Sequence, residues 1–123
     1  MSIDKITILD GGMGTMLQAA GLAPGEHPET FGFERPETVR EVHRKYIEAG
    51  TRILYANTFG GNPRKLAGQP IDTKTAVTSA IQTAREAAEE GTEKFGQKVS
   101  VALDVGPIGE LLEPLGTVTF EDA

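Results

Sequence analysis

The sequence contains no cysteine. That absence removes disulfides and, with them, every thiolate ligand for a metal ion. Basic residues are scarce as well: twelve Lys and Arg stand against eighteen Asp and Glu, for a net charge of −6. No basic stripe exists to displace counterions from phosphates, which excludes a nucleic-acid surface. Long apolar runs are missing too. Nothing approaches the roughly 20 consecutive apolar residues of a membrane span. The opening MSIDKITILD lacks a signal-peptide layout, because its apolar run is short and ends in an acid. The expectation is a cytoplasmic chain with no nucleic-acid or membrane partner. Fifteen glycines and seven prolines are plentiful by contrast, but they mark separate punctuation points and form no low-complexity tract. At 123 residues there is room for one domain with a core.

Residues 6–10, ITILD, are apolar and β-branched and run into glycines, which predicts a buried strand. A short helix is expected from Thr15 to Ala20, stopped by Gly21, and then a loop rich in Gly, Pro and acids to residue 35. In RPETVREVHRKYIEAG, Pro36 suits the first helical position and Gly50 a C-terminal cap. Val39, Val42, His43, Tyr46 and Ile47 share one face of that helix. A second buried strand follows at 52–59, RILYANTF. A helix over 74–95 then places Val77, Ala80, Ile81, Ala84 and Ala88 on one side, ends at Gly96, and is weakened in its last turn by Gly91. KVSVALDVGP, 98–107, predicts a third strand, and TVTFEDA opens like a helix, with Thr119 and Asp122 spaced as a capping box. The strands begin near residues 6, 52 and 98, 46 apart each time. Strand, helix, strand, helix, strand at this spacing predicts parallel strands with crossover helices. Three such strands with two open edges and no third helix make an incomplete domain.

In parallel α/β folds, ligands gather at the carboxyl ends of the strands. All three predicted strands end in polar or glycine-rich groups: Asp10-Gly11-Gly12, Asn57-Thr58 before Gly60-Gly61-Asn62, and Asp104 before Gly106-Pro107. Taken one strand at a time, Asp and Gly are ordinary terminators. Three on one rim point to a ligand site. Phosphate-binding loops do not fit: counted from Gly12-Met13-Gly14, the last position of a dinucleotide fingerprint is Leu17, and no Gly-Lys-Ser/Thr ending exists. Successive backbone N–H groups opening a short helix suit a small carboxylate instead, and Asp10 suits an ammonium group. Both together describe an amino acid. His43 reads as a packed core histidine. His27, beside Glu26 and Glu29, reads as a solvated loop residue before a metal ligand, and the charges of EAAEEGTEK read as a wet helix face.

ILDGGMGTMLQ, YANTFGGNPRKL and LDVGPIGELLEPLGTVTFEDA, in this order and at these intervals, resemble the homocysteine S-methyltransferases. The resemblance is strongest to the N-terminal homocysteine-binding domain of the cobalamin-dependent methionine synthases. It implies a (βα)8 TIM barrel, of which residues 1–123 form the N-terminal fragment: three strands, two main helices and an incomplete third unit. It implies homocysteine as substrate, with the carboxylate on the amides of Gly11, Gly12 and Met13 and the amino group held by Asp10. Asn57, Thr58 and Asp104 would line the same mouth. In the family, zinc held by cysteines of later strands activates the thiol, and methylcobalamin and methyltetrahydrofolate would act through other domains. This chain has no cysteine, so the resemblance implies part of the substrate cradle, no metal ligands, and no activity for the chain alone. Its partner would be the missing remainder of the barrel, without which the open strand edges invite self-association. S-methylmethionine or betaine as methyl donor, and a non-catalytic amino-acid-binding or assembly module, are the alternatives.

Overall fold

The computed structural model describes residues 5–123. In chain order its elements are α1 (Gly14–Ala19), α2 (Pro28–Glu34), α3 (Pro36–Glu48), β1 (Ile53–Tyr55), α4 (Thr73–Phe95) and β2 (Ser100–Ala102). β1 and β2 pair in parallel, with Leu54 opposite Val101. On the other edge of β1 runs the segment predicted as the first strand. It is reduced to one parallel bridge, Leu9 with Ile53, flanked by Arg52 N–H to Ile8 O (2.9 Å) and Asp10 N–H to Ile53 O (3.2 Å). The parallel order therefore follows the chain, with residues 8–10 first, then β1, then β2.

The strands are shorter and wetter than the sequence predicts. The first was expected to be buried, yet Ile6 is 87% exposed and Ile8 and Leu9 are also exposed. An apolar strand is buried on both faces only when both are covered, and among the described residues the helices cover one. The predicted 52–59 and 98–107 strands shrink to three residues each. Ladder bonding ends at Ala56 N–H to Ala102 O (2.9 Å), beyond which a side chain takes over.

The helices follow the sequence more closely. Pro36 opens α3, and Gly50 follows it with φ +116°. Val39, Val42, His43 and Ile47 are buried on one face, as predicted. Asp72 caps α4 by accepting the Thr75 N–H (2.7 Å), and Gly96 ends it with φ +66°. The buried stripe of α4 is rotated from the predicted one. Ala76, Ala80, Thr83, Ala84, Ala87, Ala88 and Gly91 face inward, while Val77 and Ile81 lie half-buried on the flank. Small side chains win the central positions because α2 and α3 both press against this helix.

α2 is a helix where a loop was expected. Pro28 opens it and Arg35 joins it directly to α3. At the C-terminus half of the capping box forms: Asp122 N–H donates to Thr119 Oγ1 (3.2 Å), while the Asp122 carboxylate accepts from the Thr119 hydroxyl (2.8 Å) in place of its backbone N–H. Within the chain these bonds close a turn and no helix follows. Two hydrophobic clusters make the core. One joins Leu17, Leu22, Phe31, Val39 and Val42, the other Ile47, Leu54, Ala87, Ala88 and Val99, and Tyr46 packs against both.

The 46-residue repeat reappears as contacts. Arg40 pairs with Glu86, Arg44 with Glu90 (2.9 Å), Lys94 with Glu48 (3.5 Å) and Arg64 with Glu110 (2.6 Å), each 46 residues apart. Exposed pairs of this kind contribute on the order of 0.5 kcal/mol each. The first three align α3 against α4 more than they stabilise the fold, which rests on the apolar clusters.

Candidate functional site

Asp10 stands just past the Leu9 bridge. Its Oδ2 accepts the Tyr55 N–H at 3.1 Å, replacing the next rung of the ladder. That half of the carboxylate is a strand terminator. Its other oxygen, Oδ1, is buried and has no hydrogen-bond partner among the described residues. Burial pushes the Asp10 carboxyl above its ordinary pKa; the bonds from the Tyr55 and Asp10 amides oppose the shift, and the charge of Asp104 adds to it. A cation placed against this carboxylate would favour its ionised form and offset the repulsion from Asp104.

Gly11 and Gly12 are exposed, and Met13 is half-buried at the N-cap of α1. No described residue is hydrogen-bonded to the amides of Gly11, Gly12 or Met13. The backbone here is closely hemmed. A Cβ on Gly11 would lie 3.1 Å from Tyr46 Oη, and one on Gly12 would lie 3.1 Å from Thr15 Oγ1. Gly14 has nothing within 4 Å of that position, so the close approach concerns the first two glycines. Tyr46 also donates its hydroxyl to Gly12 O at 2.8 Å.

Asn57 and Thr58 are buried, and the Asn57 Nδ2 and Thr58 Oγ1 atoms are already engaged. Asn57 Nδ2 donates to Pro28 O (2.8 Å), tying the exit of β1 to α2. Thr58 Oγ1 donates to Asp104 O (2.8 Å) and accepts the Asp104 N–H (3.0 Å), continuing the β1–β2 pairing through a side chain. The structure thus brings Asp10, Thr58 and Asp104 to one rim and gives Asn57 and Thr58 a structural task there.

Sequence reasoning missed Glu29 and Tyr46 as parts of this rim. Glu29 is buried, and its Oε1 accepts the Gly60 N–H at 2.7 Å. A Cβ on Gly60 would meet that carboxylate at 2.9 Å. His27, Glu26 and Glu29 do not converge: His27 is the N-cap of α2, and Glu26 Oε2 accepts the Ala23 N–H (2.8 Å). His43 is fully buried, as expected of a core histidine. A surface groove of about 630 Å³ lies elsewhere, between α4 and the start of β2, and is lined by Arg85, Ala88, Thr92, Lys98 and Val99 among others. It is open and charged and shares no residue with the rim.

The sequence profile of the homocysteine S-methyltransferases matches residues 7–123. The chain belongs to the homocysteine S-methyltransferase family. A homocysteine S-methyltransferase of Escherichia coli (strain K12) is 33% identical over 119 residues, covering 89% of this chain and 38% of that protein. Among solved structures, the metallated form of the homocysteine methyltransferase MmuM from Escherichia coli superposes with a TM-score of 0.74 at 29% identity, covering 86% of this chain and 40% of that one. Its oxidized form gives a TM-score of 0.74 at 31% identity, covering 85% and 38%. The chain spans about 40% of the length of the relatives it matches. Its α/β architecture corresponds to part of the MmuM fold. "Metallated" describes MmuM; here there is no cysteine, and among the described residues no group of three His, Asp or Glu stands together to hold a metal. These residues do not fit a zinc ion.

Proposed function

We propose that residues 1–123 are the N-terminal part of a homocysteine-binding (βα)8 barrel, in an enzyme that methylates the homocysteine thiol to make methionine. The observation that carries this reading is Asp10, a half-committed carboxylate whose second oxygen is buried and, among the described residues, unpartnered beside a run of open amides. The substrate carboxylate lies on the Gly11, Gly12 and Met13 N–H groups, and its ammonium on Asp10. Asp104 adds negative charge on the same side of the site, and Thr58 and Asn57 hold the rim in shape. Binding a cation favours the ionised form of Asp10, so homocysteine affinity falls as pH drops through the carboxyl's raised pKa.

Because no metal-binding group stands among the described residues, nothing assigned to them passes through zinc. In the full-length enzyme zinc would be carried by cysteines outside this chain, so the chain alone transfers no methyl group. A methylcobalamin and methyltetrahydrofolate relay, through other domains, is the donor system of this reading, which follows the resemblance carried by residues 8–18, 55–66 and 103–123 together. No helix of the described residues is long and apolar enough to cross a membrane, in keeping with a cytoplasmic enzyme.

Asp10→Asn in the full-length protein tests the reading. It keeps the shape and removes the charge-assisted partner of the ammonium, for a loss of about 1.5–3 kcal/mol in homocysteine binding. Metal content should be unchanged. An unaltered homocysteine affinity would leave Asp10 a strand terminator and nothing more. Methionine production by the unaltered protein separates an enzyme from a binding module.

A further inference from the structure

Tyr46 reaches from the core to the glycine loop. Its ring is wedged between the two hydrophobic clusters, in contact with both. Its hydroxyl donates to Gly12 O at 2.8 Å across 34 residues of sequence, and the space a Gly11 Cβ would need ends 3.1 Å from the same oxygen. A run of glycines left to itself samples a wide range of φ and ψ. Here one bond from a packed ring restrains it.

The consequence follows from the peptide bond. In a trans peptide the C=O and the N–H of the next residue point in opposite directions across a rigid plane. Drawing the Gly12 carbonyl back toward α3 turns the Met13 N–H away from α3, on the opposite side of the plane from Tyr46. We infer that Tyr46 is a positioning residue for carboxylate recognition: its hydroxyl fixes the Gly12–Met13 peptide plane so that the Met13 N–H is presented to the carboxylate of an α-amino acid substrate. This rests on the reading of Gly11–Met13 as the carboxylate cradle. Tyr46 acts through the loop and does not touch the substrate. The bond is internal to the fold, so it restricts the loop and less conformational freedom is lost on binding.

Tyr46→Phe in the full-length protein removes one oxygen and leaves the ring in the core. Its effect is read on two ligands, homocysteine and aminopropanethiol, which is homocysteine without its carboxylate. KM for homocysteine should rise roughly three- to ten-fold with kcat little changed, while affinity for aminopropanethiol stays as it was. Equal losses on both ligands would make the hydroxyl a general structural support and overturn the inference, as would no loss on either. If the unaltered protein binds the two ligands equally well, the cradle itself is absent and the role of Tyr46 goes with it; that result is visible before any substitution is made. Gly11→Ala provides a second reading. Its methyl meets the Tyr46 hydroxyl, so its penalty on homocysteine binding should shrink in the Tyr46→Phe background. Strictly additive penalties would show that the loop does not depend on the hydroxyl.

Discussion

His43 shows how a single residue couples packing to pH. It is 0% exposed, and neither ring nitrogen has a hydrogen-bond partner. Burial lowers its pKa from 6.5 to about 4. The unfolded chain therefore takes up a proton first as pH falls, and the stability present above pH 6.5 is lost progressively toward pH 4. By pH 5 the loss amounts to about 2 kcal/mol. His43→Leu, of similar volume, removes both the titration and two unpaired polar atoms. Chemical denaturation of the full-length protein should find the variant at least as stable as the parent at pH 8, with its advantage about 2 kcal/mol larger at pH 5. Asp10, whose carboxyl is pushed up, works in the opposite sense, gaining stability as it protonates. It is common to both proteins, so the difference between them isolates His43. A constant difference across this range would mean that His43 takes up its proton as readily in the fold as in the unfolded chain. At this scale the sequence was readable where chemistry and backbone coincide. Asp10, Gly11 and Gly12 stand out only because two further strand ends on the same rim also carry polar groups, since a single strand end of this kind reads as a terminator. Tyr46 and Glu29 do not, because their partners lie 34 and 31 residues away and only the fold joins them.

Among the elements, the α3–α4 contact gives Gly91 a purpose that periodicity alone obscured. In the sequence it reads as a weak point of the helix. In the fold it is where Ile47 enters: a Cβ there would lie 2.8 Å from Ile47 Cγ2 and 3.4 Å from Val99 Cγ2. Gly91→Ala gains about 1 kcal/mol of helix propensity. It also overpacks a contact between two buried side chains, which costs about 1–3 kcal/mol. Overpacking wins because Ile47 is branched at Cβ and cannot swing its methyl aside. Thermal unfolding of the variant should fall by a few degrees, corresponding to a net loss of about 1 kcal/mol. A higher midpoint would mean that α3 slides away at little cost. The 46-residue spacing was legible in the strands, and the ion pairs at the same spacing show that it extends to the helices. α2 was hidden because seven residues are too few for a helical period and Gly32 interrupts them. That glycine is required by contact, since its Cβ would lie 2.7 Å from Asn57 Nδ2. One signal was present: Pro28-Glu29-Thr30 repeats the Pro36-Glu37-Thr38 that opens α3. The strand lengths were overread because apolar character marks where a strand can run, while the ladder extends only as far as a paired neighbour.

For the molecule as a whole, the order of residues 8–10, β1 and β2 leaves two outer edges among the described residues, and apolar side chains cluster near both. Ile6 and Ile8 are exposed beside the first, and Leu103 and Val105 beyond the end of β2. Leu115 and Phe120 add exposed surface of 83% and 81% from the C-terminal turns. Unpaired N–H and C=O groups next to apolar side chains are templates for another strand. In the MmuM structures the matched region is about 40% of the chain, and a closed barrel would supply a neighbour to each edge. The isolated 123-residue polypeptide is therefore expected to be partly unfolded or to self-associate through these edges, as a swapped or sheet-extended oligomer. Light scattering over a concentration series should show a mass that grows with concentration or a swollen monomer. Amide hydrogen exchange on the same samples should be fast at residues 6–10 in dilute solution and slower where association occurs. The same segment in the full-length protein should be protected at every concentration. A concentration-independent, compact monomer with strongly protected amides at residues 8–10, β1 and β2 would overturn this. It would mean that the edges are closed from within the chain, and the barrel assignment would lose its main structural consequence.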